Sequence, residues 1–226
     1  MNNYIGIDIS LNSTAVFIEN QEGMKILSFT NKKDNNIYIK ELEQCGVSFH
    51  FIYDEKDSKY SENEILKIKK YDKLSDNIVN TIIDNINVND KTFCNMEGYS
   101  YSKNTSSILD IVALSTLIRC KMINHINNIE LSIIAPASLK KEACGLVYGF
   151  DKKKNTKNNQ GISGGRFKKP EMYLALLESN LETPISKMIF NYKDLIERKK
   201  IPNPIEDIID SIFACKVKMK QLNDIR

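Results

Sequence analysis

Tyr4-Ile5-Gly6-Ile7-Asp8-Ile9 is a short apolar run that carries one carboxylate near its end. A run of this length and composition is typical of a buried β-strand. Burying a carboxylate among apolar side chains costs free energy unless the charge is paired or binds a metal ion. Asp8 is therefore the first candidate for a functional residue, and the strand that carries it is the first element of the predicted fold.

Three further acids stand where they could join Asp8. Glu97 closes a second apolar run that begins at Thr92. Asp207 and Asp210 lie three residues apart in a stretch with helical periodicity, so both point to one side of the helix. Two strand carboxylates and a helical pair of this kind can converge on divalent metal ions.

Composition predicts one domain that covers residues 1–226, since a chain of this length can build a full core. The formal net charge of +3 is weak evidence for nucleic acid binding. With two histidines, and five cysteines without a CxxC spacing, a zinc site or a histidine-based triad is not easily assembled. No signal-like segment and no apolar run near the length of a membrane span occurs, so we expect a soluble, cytoplasmic protein with no membrane partner.

The hydrophobic pattern predicts an α/β protein. Three strands open the chain as an antiparallel meander, and helices and strands then alternate, which is typical of parallel strands joined by crossovers. Residues 32–61 have no clear pattern. The predicted strands are 3–9, 13–19, 25–29, 91–97 and 131–135. The predicted helices are 61–86, 105–126, 136–144, 170–177, 185–199 and 205–221, of which 185–199 has less support. Ser61 is the predicted cap of the first, with Glu64 completing a capping box, and Gly145 is the predicted stop of the third.

Residues 151–168 break this pattern with a basic segment rich in Gly and Asn, which we expect to be a flexible loop. It is either a solvated insertion without a role or a contact for phosphates, and the concentration of positive charge in a near-neutral chain favours the second. Residues 181–204 form a second enlargement. The cations of the loop that we assign to DNA contact are Lys152, Lys153, Lys154, Arg166 and Lys168.

Four stretches in a fixed order, spanning nearly the whole chain, carry a family resemblance. They are Ile5-Gly6-Ile7-Asp8 with Thr14, Met96-Glu97 followed by Lys103-Asn104, Pro136 to Gly145 with Lys140 followed by Lys169, and Asp207 to Ala214. Together they resemble the RuvC-like Holliday junction resolvases of the RNase H-like superfamily. Each stretch alone is weak evidence, and the ordered set is fairly specific.

The resemblance implies an RNase H-like fold: a mixed five-stranded sheet, with three antiparallel strands and then two parallel ones, flanked by helices. It also implies a magnesium-dependent endodeoxyribonuclease that acts as a homodimer in DNA recombination and repair. Such an enzyme resolves Holliday junctions or other branched DNA by symmetric nicks. The AT-rich coding bias and the compact chain suggest a phage or other viral source, which would place the protein in the host cytoplasm.

By the same resemblance, Asp8 would bridge two Mg²⁺ ions, Glu97 would bind one, and Asp207 and Asp210 would complete the ligand set. Two ions roughly 3.5–4 Å apart can activate water, stabilise the leaving oxygen and neutralise phosphate charge. Mn²⁺ could replace Mg²⁺. Lys140 and Lys169 resemble the lysines that position the phosphate or protonate the leaving group, although either could be an ordinary helix-surface residue.

The chain departs from the family at the aromatic wedge expected three residues after the glutamate, where Ser100 stands. Tyr99 and Tyr101 flank it and could stack on an unpaired base, with Lys103 as a further DNA contact. Either tyrosine could equally pack in the core. The mode of junction opening therefore stays open.

Three other functions remain to be weighed. A ribonuclease H or an exonuclease would use similar carboxylates, and a junction-binding module without activity would share the fold. The first motif also resembles the phosphate loop of actin-like ATPases. Those proteins need a second lobe, for which this chain is too short. They also need an Asp-Gly-Gly motif, which this sequence lacks.

Overall fold

A computed structural model describes residues 1–32, 37–52, 59–99, 105–148, 169–178, 183, 185, 186, 191 and 203–222. These residues form one mixed sheet of six strands in the order β4-β3-β2-β1-β5-β6. The strands are β1 (Asn2–Asp8), β2 (Ser13–Asn20), β3 (Gly23–Thr30), β4 (Val47–Phe51), β5 (Lys91–Glu97) and β6 (Ile129–Ile134). The described helices are α1 (Ile37–Gln44), α2 (Tyr60–Asp84), α3 (Thr105–His125), α4 (Pro136–Tyr148), α5 (Lys169–Glu178) and α6 (Ile205–Gln221).

The pairing follows the sequence prediction and adds one strand. β1, β2 and β3 are antiparallel, and β5 and β6 extend the sheet from β1 in parallel. The extra strand β4 pairs in parallel with β3, so the expected count of five strands was one too low. In β4 only Val47 is buried, because the strand lies at the edge of the sheet. Its sequence alternates Val47, Phe49 and Phe51 with polar residues, in place of the continuous apolar run of β1.

Two hydrophobic clusters lie on the two faces of the sheet, and alternation along β1 assigns its side chains to them. Ile5 and Ile7 belong to the cluster that α2 and α3 cover. Tyr4 belongs to the opposite cluster, which contains buried residues of α4, α5 and α6. Successive strand residues point to opposite faces, so one short strand supplies both cores.

Gly6 sets the distance between the sheet and α6. A Cβ atom added at Gly6 would overlap the backbone oxygen of Ser211 and lie 2.5 Å from the amide nitrogen of Cys215. The absence of a side chain at Gly6 therefore lets the backbone of α6 lie directly on β1. All but three residues of α6 are buried, which agrees with its position across β1, β2 and β5.

Two predicted helix ends were wrong. α2 begins at Tyr60 with Lys59 at the N-cap, and no side chain caps it, so Ser61 and Glu64 lie inside the helix and form no capping box. α4 does not stop at Gly145 but continues to Tyr148. Leu146, Val147 and Tyr148 pack against the core, and this packing outweighs the weak helix propensity of glycine.

The predicted loop at 151–168 lies outside the described residues, as does most of the enlargement at 181–204. Across the parts of the chain given above, none of the helices combines the length and the apolar character that a membrane span requires.

Candidate metal centre

Asp8 and Glu97 are the last residues of two neighbouring parallel strands. β1 and β5 pair with Ile7 opposite Met96, so the residue that follows each of these closes its strand at the same edge of the sheet. Both carboxylates are half-buried. The predicted pair of strand carboxylates is therefore brought together at a partly open edge.

Asp210 reaches the same place from α6. One carboxylate oxygen from each of Asp8, Glu97 and Asp210 lies within 4.8 Å of the others. Asp210 is only 3% exposed, which is unusual for a carboxylate. Three residues from three elements, separated by up to 202 positions in the chain, thus form one acidic cluster.

Asp207 lies one helical turn before Asp210 and is also buried. It stays outside the group of three whose oxygens all lie within 4.8 Å. Together with Glu206 it occupies the first turn of α6, where the helix dipole favours negative charge. The structure therefore places Asp207 beside the cluster, one turn along the helix.

Asn95 holds α6 in this position. Its side-chain Nδ2 donates a buried hydrogen bond of 3.0 Å to the backbone carbonyl of Ala214. The Ser132 hydroxyl in β6 lies 3.3 Å from Asn95 Oδ1 and 3.1 Å from the Cys94 carbonyl oxygen, so its one proton is shared between these two acceptors. Ala214 follows Asp210 by one turn, so this link and the close contact at Gly6 fix the helix that carries the acid.

The two predicted lysines lie on different helices, Lys140 on α4 and Lys169 at the start of α5. α4 starts directly after β6, and the amide of Gly98 donates a 2.7 Å hydrogen bond to the carbonyl of Ile134 at the end of that strand. Lys140, in the second turn of α4, is half-buried, whereas Lys141 is exposed. Lys169 is the first residue of α5, and its side chain lies outside the described part of the structure.

Among the predicted DNA contacts, the structure describes only Tyr99, two residues beyond Glu97. Tyr99 is half-buried, and the guanidinium carbon of Arg119 lies 5.1 Å from its ring centroid. Arg119 Nε also donates to the sulfur of Met96 at 3.5 Å. These contacts tie the Tyr99 ring to α3. The other predicted contacts lie outside the described residues: Tyr101, Lys103, Lys152, Lys153, Lys154, Arg166 and Lys168.

The donor set fits a hard divalent cation. Three negative charges at this spacing repel one another, and burial of Asp210 strengthens the repulsion because water screens it poorly. Carboxylate oxygens are the ligands that Mg²⁺, Mn²⁺ and Ca²⁺ prefer, and a bound cation would remove the repulsion. Asp8, Glu97 and Asp210 would hold such an ion, with Asp207 one turn away.

Comparison with known proteins supports the fold assignment. No protein-family model matches the sequence, and a search of curated proteins found no significant match. Among solved structures, the yeast mitochondrial Holliday junction resolvase Ydc2 is similar, with a TM-score of 0.53 and 12% identity over 97% of this chain and 78% of that one. Two structures of Thermus thermophilus RuvC also match. The complex with a Holliday junction substrate has a TM-score of 0.48 and 6% identity, covering 99% of this chain and 98% of that one. The other has a TM-score of 0.45 and 8% identity, covering 98% and 97%.

The similarity to Ydc2 establishes that this chain shares the fold of that protein, a mixed β-sheet flanked by helices, as the sequence predicted. The sixth strand is a small difference from the predicted sheet. At 12% identity the comparison concerns the fold and leaves the activity to the site itself.

Sequence reasoning missed two residues at this site, Asn95 and Tyr173. Asn95 had a visible signal, because an amide inside the apolar run that ends at Glu97 needs a hydrogen-bond partner. Tyr173 had none, since a tyrosine in an apolar helix is ordinary core composition. Its side chain on α5 is buried. Burial, and then the charges of Asp210 and other nearby acids, raise the pKa of its hydroxyl.

Proposed function

We propose that the protein is a divalent-metal-dependent, structure-selective endonuclease that resolves four-way DNA junctions by phosphodiester hydrolysis. The observation that carries the proposal is the convergence of Asp8, Glu97 and Asp210 within 4.8 Å. The cluster sits on a fold shared with a protein described as a mitochondrial Holliday junction resolvase. Carboxylates in such a cluster are what two-metal phosphodiester hydrolysis requires of a protein.

We assign two Mg²⁺ ions to the site, with Mn²⁺ as a substitute. When bound, the ions would supply an activated water and stabilise the negative charge of the phosphate and of the leaving oxygen. Asp8, Glu97, Asp207 and Asp210 would hold the ions. Glu97 and Asp8 are half-buried, which leaves the edge of the cluster accessible to a phosphate.

Lys140 and Lys169 are the proposed contacts to the scissile phosphate and to the leaving oxygen. The support for Lys140 is the position of α4, which follows β6 at the end of the sheet where Glu97 lies, whereas Lys169 is proposed from the family resemblance as the first residue of α5. A lysine there would hold the phosphate or give up a proton to the leaving group.

DNA binding is proposed for Tyr99, Tyr101 and Lys103 near Glu97, and for the basic segment 151–168. Tyr99 is supported by its position just beyond β5 and by the guanidinium of Arg119, which holds its ring. The proposed cations of the basic segment are Lys152, Lys153, Lys154, Arg166 and Lys168. Affinity for a junction should fall steeply as salt rises, because contacts to phosphates release counterions.

A homodimer would match the two-fold symmetry of the junction and place two nicks symmetrically. The homodimer is supported by a strip of five uncharged residues on the outer side of α3. Successive members of the strip are four, three, four and three residues apart, which is the spacing of a helix-packing seam. Each member of the strip is exposed in the monomer: Leu109, Ala113, Thr116, Cys120 and Ile123.

Cleavage of a labelled four-way junction tests the proposal beside linear duplex and an RNA–DNA hybrid, each with Mg²⁺ and with EDTA. Paired symmetric nicks in the junction that disappear with EDTA are the expected result. Cleavage of the hybrid instead would assign the chain to ribonuclease H-type enzymes. Junction binding without cleavage would leave a DNA-binding module and contradict the proposal.

A further inference from the structure

Tyr173 is a buried tyrosine whose hydroxyl lacks a hydrogen-bond partner among the described residues. The residue is 1% exposed and lies in α5, which packs against α4 and α6. Its Oη atom is buried and makes no hydrogen bond. A buried tyrosine hydroxyl usually finds a partner, and leaving one without costs about 1–3 kcal/mol. A phenylalanine would fill the same space without that cost, so the hydroxyl needs an explanation.

The charges that act on the pKa of this hydroxyl come from two members of the acidic cluster and from the first turn of α6. Burial raises the pKa of Tyr173 well above its ordinary value, and the negative charges of Asp210, Glu206, Asp207 and Asp8 raise it further. Asp210 has the largest effect of the four acids. The phenol is therefore a protonated O–H donor at neutral pH, buried without a partner on a helix that packs against α6, the helix of Asp210.

We propose that Tyr173 is a positioning residue of the metal centre: its hydroxyl donates a hydrogen bond to the Asp210 carboxylate, directly or through one water, when a divalent ion is bound. The inference rests on the proposed function, since it presupposes the metal site. A carboxylate that binds a metal through one oxygen keeps lone pairs for such a donor. Hydrogen bonds of this kind orient metal-binding carboxylates and raise the affinity for the ion.

Replacement of Tyr173 by Phe separates this role from packing, because Y173F removes only the hydroxyl. Mn²⁺ binding to the full-length variant is measured by isothermal titration calorimetry, and urea unfolding is measured in EDTA. We expect about tenfold weaker Mn²⁺ binding. In EDTA the variant should be at least as stable as the wild type, because the hydroxyl has no described partner without the ion.

Tyr71 provides the matched control. It is another buried tyrosine, in α2 on the opposite face of the sheet, and its hydroxyl interacts with Asp110. Y71F should lower the stability in EDTA and leave Mn²⁺ affinity unchanged. Y173F should therefore change the Mn²⁺ affinity and not lower the stability, whereas Y71F should lower the stability and not change the Mn²⁺ affinity.

The outcomes are distinct. Wild-type Mn²⁺ affinity in Y173F overturns the inference and leaves the proposed function standing. A loss of both affinity and stability in EDTA also overturns it, because the hydroxyl would then serve packing. If the wild-type protein binds no Mn²⁺, or if D210N binds it as the wild type does, the metal centre itself fails and the inference fails with it.

Discussion

The side chain of Asn95, inside β5, donates a 3.0 Å hydrogen bond to the backbone carbonyl of Ala214 in α6. This bond joins the strand that ends in Glu97 to the helix that carries Asp210, one turn away. A buried amide with a fixed partner of this kind sets the register between two elements. Asn95 therefore helps to hold together the acids of the candidate metal centre.

Replacing Asn95 by Ala should lower the free energy of unfolding by about 1–2 kcal/mol, because a buried hydrogen bond is lost. Mn²⁺ affinity should also fall, since α6 loses one of its links to β5. Urea unfolding and calorimetric titration measure the two effects. S132A removes the hydroxyl that contacts both Asn95 Oδ1 and the Cys94 carbonyl but leaves the Asn95–Ala214 bond in place, so it should have a smaller effect on Mn²⁺ affinity. An unchanged Mn²⁺ affinity in N95A would contradict the positioning role.

Gly6→Ala tests the close contact between β1 and α6. The new Cβ atom would overlap backbone atoms, which cannot rotate away as a side chain can. We expect a loss of about 3 kcal/mol or more in the free energy of unfolding, at the upper end of the range for overpacking. Gly98→Ala is the graded control, because its Cβ would meet Ile133 and Ile134 at 3.3 Å and should cost less. Equal losses in the two variants would contradict the assignment of Gly6.

The interaction of Tyr71 with Asp110 predicts a specific pH dependence. Burial, and then the charge of Asp110, raise the pKa of Tyr71 to about 12 from an ordinary value near 10. Between these pH values the folded protein binds more protons than the unfolded chain. The contribution of Tyr71 to the free energy of unfolding should therefore be fully present below pH 10. It should be lost as the pH rises towards 12.

Comparison with Y71F isolates this effect from the other groups that titrate at high pH. The wild type should lose roughly 2 kcal/mol relative to Y71F between pH 10 and 12, measured by urea unfolding at fixed salt. A difference between the two proteins that does not change with pH would show that Tyr71 titrates normally.

The uncharged strip on α3 predicts the assembly. Introducing Lys at both Leu109 and Ile123 should convert a dimer to a monomer in sedimentation velocity, because charges would be buried in the interface. The monomeric variant should also no longer make the two symmetric nicks as a pair. A variant with Lys at Gln21 and Gln44, two exposed positions away from α3, adds the same charge and should remain dimeric. A wild-type monomer would contradict the proposed interface.

The sequence predicted the inner strands well because each is a short apolar run with a polar end. Lys91–Glu97 is identical in the prediction and in the structure, and α6 has its predicted bounds. β4 was missed although Val47, Phe49 and Phe51 alternate with polar residues, because this short run lies in the mostly polar segment 32–61, which has no clear overall pattern. The ends of α2 and α4 were misplaced because tertiary packing overrode Ser61 and Gly145 as local signals.

The candidate site was predictable to the extent that it depends on residue type and order. Asp8, Glu97 and Asp210 could be chosen because carboxylates in buried segments are rare. Their mutual distance follows from the parallel pairing of β1 and β5 and from the approach of α6 at Gly6. Tyr173 could not be found in this way, because its relation to Asp210 exists only after α5 and α6 pack.

The central claim is that the acidic cluster binds the metal that cuts DNA. Its most direct test is Mg²⁺-dependent nicking of a labelled four-way junction by the wild type, D8N and D210N, with junction affinity measured in parallel. Removing a metal ligand should lower nicking by roughly a thousandfold, which corresponds to several kcal/mol of lost transition-state stabilisation. Junction affinity should change by less than about threefold, since phosphate contacts dominate binding. Nicking at the wild-type rate in either variant would contradict the claim.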